Sequence, residues 1–161
     1  MSFVNRAKMI SMCTRVFSQL KLGFSEGVYR NALAAELQNA AAVKRVTMNR
    51  AFPIHYGIGY GEGKWVDLVQ VGTCYADIEV ISESGELCIL ELNCNAKSIV
   101  SNSNAAVDSR NQLEKYVRLS KSTGIVPTNA FLINFPKRGE NVEVLEYNVS
   151  GMNWVIQPMN R

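Results

Sequence analysis

The chain has 161 residues, 47% of them hydrophobic, and a formal charge of +3. That is enough apolar content for one globular core, and it excludes a disordered or low-complexity chain. No run of about 18 apolar residues occurs, so a helical membrane span is not expected, and the mild positive charge permits nucleic-acid binding without demanding it.

The first 25 residues hold Arg6, Lys8, Arg15 and Lys21 and no acid. Such a start suits an organelle-targeting segment. The recurrence of Phe3, Ala7, Ile10, Phe17 and Leu20 at helical spacing favours an ordinary first helix with those residues toward the core. After a break at Leu22-Gly23-Phe24, a second helix is expected over 25–42, with Tyr29, Leu33 and Leu37 as its stripe. Four β-type segments follow, over 43–48, 52–58, 65–71 and the first half of a hairpin in 74–97. The glycine-rich stretch 56–63 lacks the strand-to-helix context of a phosphate loop and reads as a flexible turn. His55 reads as a strand packing residue, and Trp65 and Trp154 as core or edge anchors. Residues 98–104 form a polar loop with freedom to move. A third helix is expected over 105–123, a buried strand over 130–135, and further strands over 142–147 and 154–157. This order makes an α/β (α+β) domain spanning 1–161. Cys13, Cys74, Cys88 and Cys94 show no paired C-x-x-C spacing. They read as buried small side chains in a reducing, intracellular compartment, not as a zinc site.

The hairpin is the most informative segment. Its turn is Ser82-Glu83-Ser84-Gly85, and each apolar arm carries one acid, Asp77 and Glu91. Folding about Ser84 sets Ala76, Ile78 and Val80 opposite Leu92, Leu90 and Cys88 as one apolar face, with Cys74 on the same side. The same register opposes Asp77 to Glu91, with Cβ atoms roughly 5 Å apart. Two like charges facing each other need a cation between them, and carboxylate oxygens suit a hard divalent ion. The alternative is an edge-strand device, with acids facing solvent to block edge pairing. The apolar run around Glu91 argues for an interior strand instead.

Several short motifs then occur in one order. Gly23-Phe24-Ser25-Glu26-Gly27-Val28-Tyr29 fits G-x-x-E-x-x-Y, and Asn31-Ala32-Leu33 follows it. His55-Tyr56-Gly57, Asp77, Glu91-Leu92, Gln112-Leu113-Glu114-Lys115-Tyr116 and Phe131-Leu132-Ile133-Asn134-Phe135 complete the series. Over residues 5–147 the chain resembles the GxxExxY family of the PD-(D/E)XK nuclease superfamily. The resemblance implies a restriction-endonuclease-like mixed central sheet flanked by helices. It further implies a Mg²⁺ (or Mn²⁺) ion held by Asp77 and Glu91, with Glu26 as a further ligand, and Gln112 and Tyr116 as supports that orient the site or touch phosphate.

One position departs from the pattern: Asn93 stands where the family places a lysine. A carboxamide neither carries charge nor takes a proton as an amine does. Lys97, beyond the strand end, and Lys115, on the third helix, are the candidate substitutes. Each motif also has a plainer reading. Glu26 suits the first turn of a helix, paired with Arg30 at i+4. Gln112 and Tyr116 suit a routine i,i+4 contact, and Arg110, Lys115, Arg118 and Lys121 a solvated basic flank. Two functions therefore stand: a Mg²⁺-dependent nuclease acting on DNA phosphodiesters, or a nuclease fold without turnover. The second would serve as a DNA-binding, assembly or structural component, for example of a virion. The extension over 148–161 is apolar enough to add an edge strand or to pair with another chain, as in a homo-oligomer.

Overall fold

Helix α1 (Arg6–Leu20) begins at Asn5, whose side chain accepts the Lys8 backbone N–H at 2.8 Å. The computed structural model describes residues 4–59, 66–95, 98–138 and 141–155. Phe3, Lys97, Trp65, the second half of the glycine-rich stretch (60–63) and residues 156–161 therefore lie outside the described residues. The buried stripe of α1 is Met9, Cys13 and Val16, with Ile10, Phe17 and Leu20 at its margin. Ala7 is exposed, so the core face is rotated from the one the aromatic spacing suggests.

Lys21 (φ 61°) and Gly23 (φ 106°) turn the chain between the first two helices. Only glycine adopts the second of these angles without strain. Helix α2 (Glu26–Gln38) then buries Tyr29, Leu33 and Leu37. Tyr29 stacks on Phe135 with ring centroids 4.8 Å apart, and its hydroxyl donates to the Lys21 carbonyl at 2.5 Å. The tyrosine of the G-x-x-E-x-x-Y pattern thus fastens the α1–α2 turn to the core. The helix stops short of the alanines at 40–42, because Asn39 caps it and Ala42 (φ 65°) turns the chain into the sheet.

The four β segments expected between 43 and 82 are two long strands, β1 (Val43–Gly59) and β2 (Val66–Ser82), paired antiparallel. β3 (Leu87–Asn93) pairs with β2 through Ile78–Leu90 and Val80–Cys88, the register expected from the turn. Helix α3 (Asn104–Ser122), capped by Ser103, crosses over to β4 (Asn129–Asn134), which lies parallel to β3. β5 (Glu143–Asn148) and β6 (Asn153–Val155) complete a six-stranded mixed sheet in sequence order. β6 adds an edge strand to its own sheet, and Trp154 on it packs on Tyr147 and donates to Glu114. α1 and α2 cover one face of the sheet and α3 the other. β3 and β4 are buried on both faces, which accounts for their nearly unbroken apolar runs.

The expected single apolar face of β2 is not found. Ile78 and Val80 join the α1–α2 side, whereas Ala76 and Cys74 join the α3 side, away from Cys88. Asn49 in β1, at φ 56°, lies between the Met48–Ile78 and Arg50–Ala76 pairs, and there the β1–β2 ribbon changes faces. Beyond Ala76 the two strands run on as a two-stranded arm, with Tyr56, Leu68, Val71 and Tyr75 exposed. His55 is exposed on it as well, not packed. Pro53 lies on β1, the outer strand, and the register shifts between Ile54 and His55.

The polar loop after β3 is tied down. Ile99 is fully buried, its N–H and the Ser98 hydroxyl bond Glu143, and Arg110 donates to the carbonyls of Ile99 and Ser101. At the far end of β4, Asn129 donates to the Val4 carbonyl. Removing the Tyr29 hydroxyl (Tyr29→Phe) is expected to destabilise by about 1 kcal/mol. Thermal unfolding followed by circular dichroism should show a fall of about 2–4 °C; an unchanged midpoint would deny the hydroxyl its role in the turn.

Candidate active site where two strands part

The pairing of β2 with β3 ends at Ile78–Leu90, one step before the two acids. There Asp77 Oδ2 accepts the Leu92 N–H at 2.7 Å, so a carboxylate takes a backbone donor freed where the strands part. Glu91 follows on β3, an interior strand, at 8% exposure. The edge-strand reading of this pair therefore fails.

Glu91 Oε2 accepts from Gln112 Nε2 at 3.1 Å, and the same amide lies 2.7 Å from the Tyr116 hydroxyl. Spacing of i,i+4 on α3 sets both side chains on the face that meets β3. The other oxygen, Glu91 Oε1, is buried and receives no hydrogen bond. Burial, then the neighbouring Asp77 carboxylate, through its charge and a side-chain hydrogen bond shared with the Glu91 proton, and then Glu26 raise the Glu91 pKa to about 9, against a smaller lowering by the Asp77 backbone. Glu26, the first residue of α2, is raised by its own burial and by Asp77, and lowered by Arg30. Tyr116 is raised to about 12, by burial and then by the Glu91 charge.

The hairpin carries a further acid, Glu79, which Arg50 meets at 3.4 Å. Asp77 likewise faces Arg30, Nη1 to Oδ1 at 3.5 Å. Neither arginine was singled out as a site residue in the motif pattern. Arg30 was legible at i+4 from Glu26, but its charge is turned to Asp77, a partner far away in sequence. Glu91 has no cation within ion-pair distance among the described residues.

Asn93 shares the Glu91 side of β3, yet its Nδ2 donates to Ser109 Oγ at 2.6 Å and so joins β3 to α3. Lys97 lies outside the described residues. The Lys115 amine sits over the Tyr116 ring, 5.5 Å from its centroid. Beside it, Asp108, Asn111 and Gln112 line an open cleft of about 400 Å³. Arg110 is taken up by the loop carbonyls and is not part of a free basic face.

Hard oxygens, one of them buried without a donor, fit a divalent ion better than they fit a dry interior. Asp77 and Glu91 make a pair. No set of three or more His, Cys, Asp and Glu side chains among the described residues is arranged as a metal cage.

The sequence profile of the PD-(D/E)XK nuclease superfamily matches residues 5–145. The chain belongs to this superfamily. Its sheet and flanking helices have the restriction-endonuclease-like arrangement, and superfamily members generally use divalent metal ions. Among the solved structures that resemble it, two share low identity with it. One is titled the crystal structure of SSO0001, at 14% identity and TM-score 0.42, covering 87% of this chain and 65% of that one. The other is a fragment assigned to the HsdR subunit of a type I restriction enzyme from Vibrio vulnificus YJ016. It shares 13% identity at TM-score 0.39, covering 94% of this chain and 22% of that one. The chain thus spans less than two thirds of either structure. No match to a curated protein is found. Among the described residues no helix is long and apolar enough to cross a membrane.

Raised carboxyl pKa values fix the sign of a pH effect. Glu91 keeps its proton in the folded chain and loses it at about 4.5 in the unfolded one. Metal-free stability should therefore fall as pH rises from about 4.5 toward 9. Glu91→Gln, which mimics the protonated form, should melt close to the parent at pH 4 and higher than it at pH 8.5. The gain should be several degrees, at about 2–4 °C per kcal/mol; equal midpoints at both pH values would contradict the buried charge.

Proposed function

We propose that the chain is a divalent-metal-dependent nuclease of the GxxExxY type that hydrolyses DNA phosphodiesters. The observation that carries this reading is the buried, donorless oxygen of Glu91 beside Asp77 in an interior strand. Asp77 and Glu91 would hold Mg²⁺ or Mn²⁺, with Glu26 nearby on α2. When bound, the ion supplies Lewis acidity at the phosphate and a more acidic water.

The chain's own residues set the geometry. Gln112 fixes the Glu91 carboxylate through Oε2, and the Tyr116 hydroxyl holds the Gln112 amide in place. Leu92 N–H fixes Asp77 through Oδ2 and leaves Oδ1 to a cation. The cleft beside Gln112, with Lys115 on its rim, suits a strand of nucleic acid passing the carboxylates.

The proton-accepting lysine is the missing part. Loss of such a group typically lowers the rate by 10²–10⁴. Lys97 and Lys115 are proposed as partial substitutes. A second reading, favoured by the Asn93–Ser109 bond, is a nuclease fold without turnover that serves in DNA binding or assembly, with DNA or protein as its partner.

Purified protein with Mg²⁺ or Mn²⁺ should nick supercoiled or single-stranded DNA slowly, and Asp77→Ala should abolish it. Asn93→Lys should speed cleavage by about 10² or more. Silence of both the parent and Asn93→Lys would reject the enzyme and leave the binding role.

A further inference from the structure

Arg30 stands beside the metal site proposed above, and its role rests on that reading. Glu26 and Arg30 are one turn apart on α2, so both face the Asp77 carboxylate. The i+4 pair that would stabilise an isolated helix is here opened toward β2. Arg30 Nη1 lies 3.5 Å from Asp77 Oδ1, the oxygen that the Leu92 N–H does not occupy. The same nitrogen donates to Asn49 Oδ1 at 3.3 Å. Asn49 stands opposite Asp77, at the left-handed residue where the ribbon changes faces. The left-handed residue opposite Asp77 thus also supplies a side-chain oxygen that holds Arg30 beside it.

Two further features mark this contact as exchangeable. At 3.5 Å the ion pair is longer than a tight charge-assisted bond. Arg30 Nε is buried and makes no hydrogen bond, so the guanidinium is not locked on all its donors. Other cations near the carboxylates are otherwise engaged or distant among the described residues: Arg50 serves Glu79, and Lys115 lies over Tyr116. A guanidinium stays charged at all relevant pH and cannot act as the missing base. It can only compete with another cation for the same oxygen.

We propose that Arg30 is the resident counter-ion of Asp77, holding that carboxylate without metal and competing with the divalent ion for Oδ1, so that it sets the metal affinity of the site. Arg30 is therefore a positioning residue, and its removal should tighten metal binding.

The test is calorimetric titration of the metal-free full chain with Mn²⁺. Arg30→Met keeps the length and apolar stem and deletes the charge; it should bind Mn²⁺ about fivefold more tightly, the upper end expected for one such ion pair. Its metal-free melting temperature should fall, and saturating Mn²⁺ should raise it by more than in the parent. Arg30→Lys, which keeps a charge, should stay within about twofold of the parent. Asn49→Gly, which tolerates the positive φ but removes the steering oxygen, should shift affinity in the same direction as Arg30→Met by a smaller factor. It keeps the proposal testable if Arg30→Met does not fold. Unchanged or weaker Mn²⁺ binding in Arg30→Met, with the parent binding normally, would overturn the proposal alone. No Mn²⁺ uptake by the parent would overturn the metal-site reading, and this proposal with it.

Discussion

The structure turns on a carboxylate doing the work of a backbone group. At Asp77 the β2–β3 ladder ends, and the side chain accepts the Leu92 N–H where the strands part. This keeps an interior strand free of an unpaired donor while the sheet opens. It also sets Asp77 and Glu91 side by side at the opening, with α2 approaching from one face and α3 from the other. Without that side-chain bond, parting the strands would leave a buried amide unpaired, at a cost of about 1–3 kcal/mol. The geometry that makes a site and the geometry that satisfies the backbone are one arrangement.

Charge is balanced acid by acid around that opening. Asp77 and Glu79 each meet an arginine, from α2 and β1 respectively. Glu91 meets an amide and is left with a proton as its own means of neutrality. A buried carboxylate retained without a cation reduces stability, so its presence in an otherwise apolar strand argues for use. Asn93, on the Glu91 side of the strand, is instead a joint between β3 and α3 through its bond to Ser109.

Much of the fold was legible because its signals are local. The turn at Ser84, the apolar runs of β3 and β4 and the stripe of α2 predict the register, the buried strands and the buried face. The Gln112–Tyr116 pair faces Glu91, as its spacing on α3 requires. What was not legible depends on distant partners. Asn49 is of a residue type that tolerates the left-handed angle, but inside a β-type run it does not announce one, so the change of face is hidden and Ala76 and Cys74 fall on the α3 side against expectation. The same continuity merged four expected strands into two. Alanines 40–42 have high helix propensity, but the chain had to reverse into β1, and tertiary geometry overrode it. Arg30 looked like the partner of Glu26 because sequence shows neighbours along a helix and not across to a strand.

The two-stranded arm has a further consequence at the open edge of the sheet. β1 is the outermost strand along its whole length, and an outer strand with exposed tyrosine and aliphatic side chains is a template for edge-to-edge aggregation. Pro53 offers no N–H to such a partner, and the register shift after Ile54 bends the edge two residues later. Together they cut the open edge into stretches too irregular for an incoming strand to zip along. Smoothing the irregularities of β1 would therefore leave a straighter open edge, of the kind that invites edge-to-edge pairing.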